Sequence, residues 1–356
     1  MNPLTLELAL LGGAVLATVV AWNVWTTRRG TPRQARPGED IEPMGEEAPV
    51  TDRVDPDLAA EVAPSLADED EAPLGPLPAP ERKPGLDALI DVIAPIELDG
   101  PSVAGEAALA ALPPTRRVGS KPFAVEGRNE VSGDWEPPRA GQRYTAFQAG
   151  VQLANRNGAL NEIEFSEFVV KAQAFADSVD GDIDFPEMRD EVARARELDQ
   201  FAGGHDAQLS LTLRARGTAW SPGFVHQHAA RLGFVPGVIP GRMVLPILTP
   251  STQPVLSLTF DTHAALAEDP AQAALHSLTL SVDVPQVPRS EQPFARMREA
   301  ADFLAQAMDG VISDDHGQAI RPDTLDTIAA DLEALYDTLD ARDLSAGSPQ
   351  ARRLFS

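Results

Sequence analysis

Histidine is the residue type best suited here to metal ligation or proton transfer, and the chain has six: His205, His226, His228, His263, His276 and His316. His226 and His228 lie two apart on an expected helix, which turns them to different faces, and neither HExxH nor another His/carboxylate ligand spacing occurs. They are expected as exposed helix residues. Asp314-Asp315-His316-Gly317 is as acid-rich as a Ca²⁺ loop but lacks the alternating oxygen ligands and the closing Glu, so a turn is expected. The acid pair Glu162/Glu164 falls on an expected hairpin with no sign of a pocket. No Gly-x-Ser-x-Gly, P-loop or dinucleotide fingerprint is present. With no Cys in 356 residues, disulfides, thiolate nucleophiles and cysteine-based zinc sites are excluded. No catalytic residue, cofactor or metal is therefore expected.

Acidic residues outnumber basic ones 54 to 29, a net charge of -25, which opposes binding to nucleic acid or anionic lipid over most of the chain. A small-molecule substrate has no advertised site. The basic exception is Arg28, Arg29, Arg33 and Arg36, directly after an apolar run from Pro3 to Trp25 whose one charge is Glu7. Roughly 22 residues at ~1.5 Å rise reach ~33 Å, enough for a bilayer core of about 30 Å. Trp22 and Trp25 close the run as interfacial aromatics do, and the Arg cluster assigns that flank to the cytoplasm. A cleaved signal peptide would carry basic residues ahead of a shorter run and a small-residue cleavage site after it. The expectation is a periplasmic tip at 1–3, a transmembrane helix at 4–27, and a single-pass inner-membrane protein with its C-terminal part in the cytoplasm. Residues 28–84 are rich in Pro, Glu, Asp and Ala, as in Asp68-Glu69-Asp70-Glu71 and Pro73, Pro76, Pro78, Pro80 and Pro84. Too few large apolar side chains are present to offset ordering entropy, so a disordered linker is expected there.

Beyond Pro84 the pattern is globular. Gln208 to Leu213, Leu256 to Asp261 and Leu278 to Val284 alternate polar and apolar, which predicts three strands sharing one core face. Gly241 to Pro246 is a fourth short strand. Ser221-Pro222 opens a helix over Phe224 to Leu232 that stops at Gly233. Phe294, Met297, Ala301, Leu304 and Met308 mark another helix, and a last one starts near Pro322-Asp323. The fold class is α+β, an antiparallel sheet with helices packed on one face. After about Leu344 a disordered tail, 346–356, is expected.

Sliding the chain against itself suggests a repeat. An offset of 119 sets Asp87-Ala88 on Asp206-Ala207; an offset of 109 sets Phe147 to Val151 on Leu256 to Phe260, Val169 on Leu278, and Phe185 with Met188-Arg189 on Phe294 with Met297-Arg298. Two tandem units are expected, 85–204 and 205–345, the first without the final helix. Leu86 to Ile93 reads as the first strand of the first unit or as an amphipathic helix. Ile163, Phe165, Phe168 and Val170 supply apolar material to that unit.

This layout resembles the ZipA family of bacterial cell-division proteins. The residues that carry the resemblance are Ala21 to Arg29, Leu232-Gly233-Phe234, Ser281 to Pro285, and Met297 to Asp315. It implies a C-terminal domain at 205–345 that holds the tail peptide of FtsZ on its sheet face and ties the cytokinetic ring to the inner membrane; together with the internal repeat, this makes 85–204 an expected degenerate copy. By alignment the partner-binding positions are Gln208, Ser210, Met243, Leu245, Thr259, Asp261, Thr279 and Ser281. Six of the eight are polar where the family uses aliphatic, Met and aromatic side chains, which favours Met243 and Leu245 among them. The alternative is a membrane-anchored scaffold for another division or envelope protein.

Overall fold

The computed structural model describes residues 32–34, 85–247, 253–269, 272–314 and 317–356. The expected anchor and nearly all of the expected linker lie outside them, and among the described residues no helix is long and apolar enough to cross a membrane.

The first unit runs β1 (Asp91–Leu98), β2 (Val103–Ala104), α1 (Gly105–Ala111), β3 (Arg117–Val118), β4 (Lys121–Asn129), β5 (Trp135–Glu136) and β6 (Arg143–Gln152). A hairpin of β7 (Ala154–Asn155) and β8 (Gly158–Ala159), α2 (Glu162–Ser178), β9 (Gly181–Ile183) and α3 (Met188–His205) follow. The main strands are ordered β3-β4-β6-β1-β9, and every pairing is antiparallel. Helix α2 starts at Asn161, whose side chain accepts from the Ile163 and Glu164 amides while Glu164 reaches back to the Asn161 N–H, closing a capping box. Glu162 and Glu164 therefore sit in a first helical turn rather than on a hairpin. Phe165, Phe168, Phe175 and Ala176 face the sheet, with Phe175 edge-on to Phe147 at 5.3 Å. Ile163 and Val170, on the opposite side, are exposed.

The second unit runs β10 (Gln208–Ala215), α4 (Pro222–Ala230), β11 (Val235–Pro236), β12 (Arg242–Leu245), β13 (Leu256–Thr259), α5 (Thr262–Ala265), β14 (Ser277–Asp283), α6 (Pro293–Met308), β15 (Gly310–Ser313) and α7 (Pro322–Asp340). Its order is β11-β12-β13-β14-β10-β15, again antiparallel. Direct pairs place Leu211 with Leu280 and Leu258 with Leu280, and α6 packs on β14, β15 and β10. The expected alternation is thus realised: one face of Leu, Val and Phe under a helix layer, one face of Ser and Thr toward solvent.

Both units carry strand, helix, strand, strand, helix, strand, helix, with β1, β4, β6 and β9 standing in the order of β10, β13, β14 and β15. The offset of 119 respects this order, placing β1 near β10 and α1 near α4. The offset of 109 does not, since it puts β6 on β13 and Val169 of a helix on Leu278 of a strand. Nor does the first unit lack a last helix; α3 follows β9 as α7 follows β15.

Residues 346–356 are not a frayed tail. Helix α8 (Pro349–Leu354) is capped by Ser348, and Ala351, Leu354 and Phe355 are buried. It lies where the two units meet. Gln152 Nε2 donates to the Arg353 carbonyl at 2.8 Å, and Gln286 Nε2 donates to the Phe355 carbonyl at 2.7 Å. Arg156, on the β7–β8 hairpin, adds ion pairs to Asp206 at 2.6 Å and Asp283 at 2.8 Å.

The two outer sheet faces differ. On the first, Leu86 lies over Gly150, where an added Cβ would stand 2.5 Å from Leu86 Cδ2. Its N–H donates to Glu126 Oε1 at 3.1 Å. Asp91, Glu126 and Gln152 on that face are 0%, 4% and 1% exposed, so the chain covers this end of the face, while Pro95 and Glu97 farther along β1 are exposed.

Candidate functional site

Register on the second sheet decides which side chains share the outer face. Ser210 pairs with Ser281, Thr212 with Thr279, Ser257 with Ser281, Thr259 with Thr279, and Arg242 with Thr259. Directly opposed residues project the same way, so Ser210, Thr212, Arg242, Val244, Ser257, Thr259, Thr279 and Ser281 form one surface. Met243 and Leu245 do not join it. Met243 is 1% exposed and opposes Leu258, Leu245 opposes Leu256, and both pack into the core. The period of two turns every second residue to the other face, so an alignment slip of one residue exchanges Met243 and Leu245 for Arg242 and Val244.

The remaining expected positions gather as follows. Ser210, Thr259, Thr279 and Ser281 are half-buried in the middle of the sheet. Asp261 lies just past β13, where its carboxylate accepts from the His263 amide at 2.9 Å and starts α5. Gln208 sits at the end of β10 opposite Asp283, next to the Arg156 cluster that joins the units.

Arg242 brings a positive charge to this surface. Its Nη2 donates to Ser257 Oγ at 2.9 Å, while its buried Nε has no acceptor among the described residues. A buried donor without a partner is costly and suits an incoming oxygen. A depression of about 420 Å³ opens beside it between Ser210, Ser257 and Ser281. A more apolar one of about 430 Å³ lies on its other side, lined by Val238, Ile239, Val244 and Pro254. Val238 and Ile239 are exposed. The chemistry available is peptide-like: hydroxyls for backbone amides, the Arg242 guanidinium beside them, and a small greasy shelf. Sequence reasoning passed over Arg242, Val244 and the shelf, although the alternation of Arg242 to Leu245 against β13 carries the signal.

On the helical side a cleft of about 600 Å³ lies between α6 and α7, lined by Phe294, Leu332, Tyr336, Arg289 and Arg298 among others. Burial pushes the Tyr336 hydroxyl pKa up to about 12, and that hydroxyl has no hydrogen-bond partner among the described residues. Arg289 and Arg298 are paired to Glu333 and Asp326 of α7.

His226 and His228 are half-buried rather than exposed. The His226 ring meets Phe260 at 5.7 Å and His228 meets Phe224 at 4.5 Å, and burial lowers the His226 pKa. The turn expected at Asp314 is closed by the Gly317 amide on the Asp314 carbonyl at 3.0 Å; residues 315–316, His316 included, lie outside the described residues. No group of three or more His, Asp or Glu able to hold a metal occurs among the described residues.

The second unit is an antiparallel sheet with one helix-covered and one solvent-facing side, and the solvent-facing side bears shallow depressions. Residues 263–331 match the family described as ZipA, C-terminal FtsZ-binding domain, which supports the family resemblance carried by the sequence. The match takes in β14, α6, β15 and the first half of α7, and with them Thr279 and Ser281. No curated protein matches the chain.

Proposed function

We propose that the second unit holds the C-terminal tail peptide of FtsZ in extended form across its outer sheet face, and that the chain tethers the cytokinetic ring to the inner membrane through residues 4–27. The observation that carries this reading is the family match at 263–331, whose strand β14 supplies the central row of that face. Ser210, Ser257, Thr259, Thr279 and Ser281 offer hydroxyls to a peptide backbone. Arg242 takes an acceptor oxygen at its Nε. Apolar side chains of the peptide rest on Val238, Ile239 and Val244, gaining about 25 cal/mol per Å² removed from water. Such a site is weak alone, and many copies on one membrane beside one polymer gain avidity from effective concentration.

The two units read as products of one duplication, supported by their shared strand order. In that reading the second unit binds and the first, whose face is covered at one end by Leu86 and its neighbours, braces it.

The test is a chemical-shift titration of residues 85–356 with an FtsZ tail peptide. Ser281→Arg, which fills the face, and Arg242→Ala, which removes the guanidinium, are each expected to weaken binding at least tenfold, about 1.4 kcal/mol. Shifts confined to the α6–α7 cleft refute the site. Binding that persists after the tail is deleted from FtsZ refutes peptide capture and favours a scaffold for another surface.

A further inference from the structure

Ahead of Gly85 the structure describes Pro32, Arg33 and Gln34, and they are docked on the second unit. The Arg33 amide donates to the Ala219 carbonyl at 2.7 Å, and the Arg33 carbonyl accepts from the Ser221 amide at 2.9 Å. These bonds form a parallel bridge to Trp220, whose other edge pairs with Leu275. The Arg33 guanidinium turns to the C-terminal end of α6, donating to the Met308 carbonyl at 3.2 Å and to the Asp309 carboxylate at 3.0 Å. A cation belongs there, because the last carbonyls of a helix lack amide partners and carry its negative dipole end. The same carbonyl accepts from the buried Trp220 indole at 2.8 Å, so strand edge and helix end are held in one piece. Pro32 is buried and favours the extended backbone that the bridge needs. The expected linker thus has a structured contact near its beginning.

We propose that Pro32–Gln34 is a latch that clasps the folded units to the membrane-proximal end of their own tether. The claim about reach rests on the reading of residues 4–27 as an anchor. From Thr27 to Arg33 the chain advances six residues, at most about 22 Å when fully extended. From Thr27 to Gly85 it advances 58 residues, at most about 200 Å. While the latch is closed, the first distance governs. When it opens, the second governs. Two backbone hydrogen bonds, a guanidinium bond to the Met308 carbonyl and one ion pair, half-exposed at Asp309, make a contact that salt or a competing strand can displace. The latch therefore sets how far from the bilayer the second unit can search for a partner.

The experiment uses the full chain in lipid nanodiscs, comparing the natural sequence with Arg33→Pro, which removes the donor to Ala219, and with Asp309→Arg and the charge-swapped pair Arg33→Asp/Asp309→Arg. Hydrogen exchange of the Ser221 amide is expected to speed up at least tenfold in Arg33→Pro and in Asp309→Arg, with partial recovery in the swapped pair, which restores the ion pair but not the bond to the Met308 carbonyl. The Leu275 amide, bonded to the Trp220 carbonyl at 2.8 Å, should not change and reports that the fold is intact. The chain has no natural cysteine, so Asp331→Cys carries one dye whose distance to headgroup dyes should increase when the latch opens. Equal Ser221 exchange in the natural chain and in Arg33→Pro overturns the latch. Released Ser221 with an unchanged dye distance, or a chain that does not float with lipid, overturns the control of reach. Tail-peptide binding to residues 85–356 tests the proposed function separately.

Discussion

Arg353→Met puts the joint between the two units to a quantitative test. Asp91 is 0% exposed at the head of β1, accepting from the Asp87 amide at 2.8 Å and from Arg353 Nη1 at 2.9 Å, with Arg353 Nη2 on its other oxygen. Loss of water outweighs these partners, so the Asp91 carboxyl is held above its ordinary pKa. Methionine keeps much of the aliphatic volume of arginine and removes the charge, which strands a buried carboxylate. Breaking one side of such a pair costs about 3–5 kcal/mol. At ~2–4 °C per kcal/mol for a chain of this size, the midpoint of thermal unfolding should fall by roughly 6–20 °C at pH 7.5. The sign with pH follows from linkage. A carboxyl whose folded pKa exceeds its unfolded value binds its proton more tightly when folded, so its penalty is absent when protonated in both states and grows as pH rises past the unfolded value of about 3.9. The deficit should therefore shrink toward pH 4, and Asp91→Asn/Arg353→Met should recover most of it at pH 7.5. Calorimetry or circular dichroism at pH 4.5 and 7.5 reads this out. A loss under about 1 kcal/mol, or the same loss at both pH values, refutes the account of Asp91 as a buried charge that depends on Arg353.

Two smaller perturbations probe local and inter-unit contacts. Asn161→Ala removes the acceptor of the Ile163 and Glu164 amides and should cost about 1 kcal/mol in denaturant unfolding; no loss would show that the capping box does not hold the start of α2. Arg156→Ala deletes the ion pairs to Asp206 and Asp283. Because the pairs are partly exposed, it should cost only about 1 kcal/mol, with faster amide exchange around Gln208 and Asp283; unchanged exchange there would mean that other contacts, such as α8 and the Arg342–Glu197 pair, hold the units together without Arg156.

Elements whose information is local were legible in the sequence. β10, β13 and β14 were read from polar/apolar alternation, and α4, α6 and α7 from Pro at the first turn and apolar spacings of three and four, because burial of one face imposes those periods. Asn161-x-x-Glu164 held a cap signal of the same local kind, and reading Glu162/Glu164 as a hairpin overlooked it. Edge strands β9 and β15 are three and four residues long, too short for a period to show. The eight expected site residues divide along the same line. Six lie on or beside the outer face, whereas Met243 and Leu245 went to the core because family alignment named the residues and pairing with Leu258 and Leu256 set the direction.

Residue order alone determined the α+β class, the acidity that disfavours nucleic acid, the absence of cysteine chemistry, and the strands with one apolar face. Tertiary structure decided that Leu86 covers one end of the first unit's outer face, that the last residues clasp the two units, and that Arg33 reaches Asp309 across 276 positions. The reason is physical: periodicity states which side of an element avoids water, but not which distant segment covers the other side. Contacts such as Leu86 over Gly150, Arg353 on Asp91 and Arg33 on the end of α6 rest on one or two side chains each, and they exist only once folding has brought both partners together.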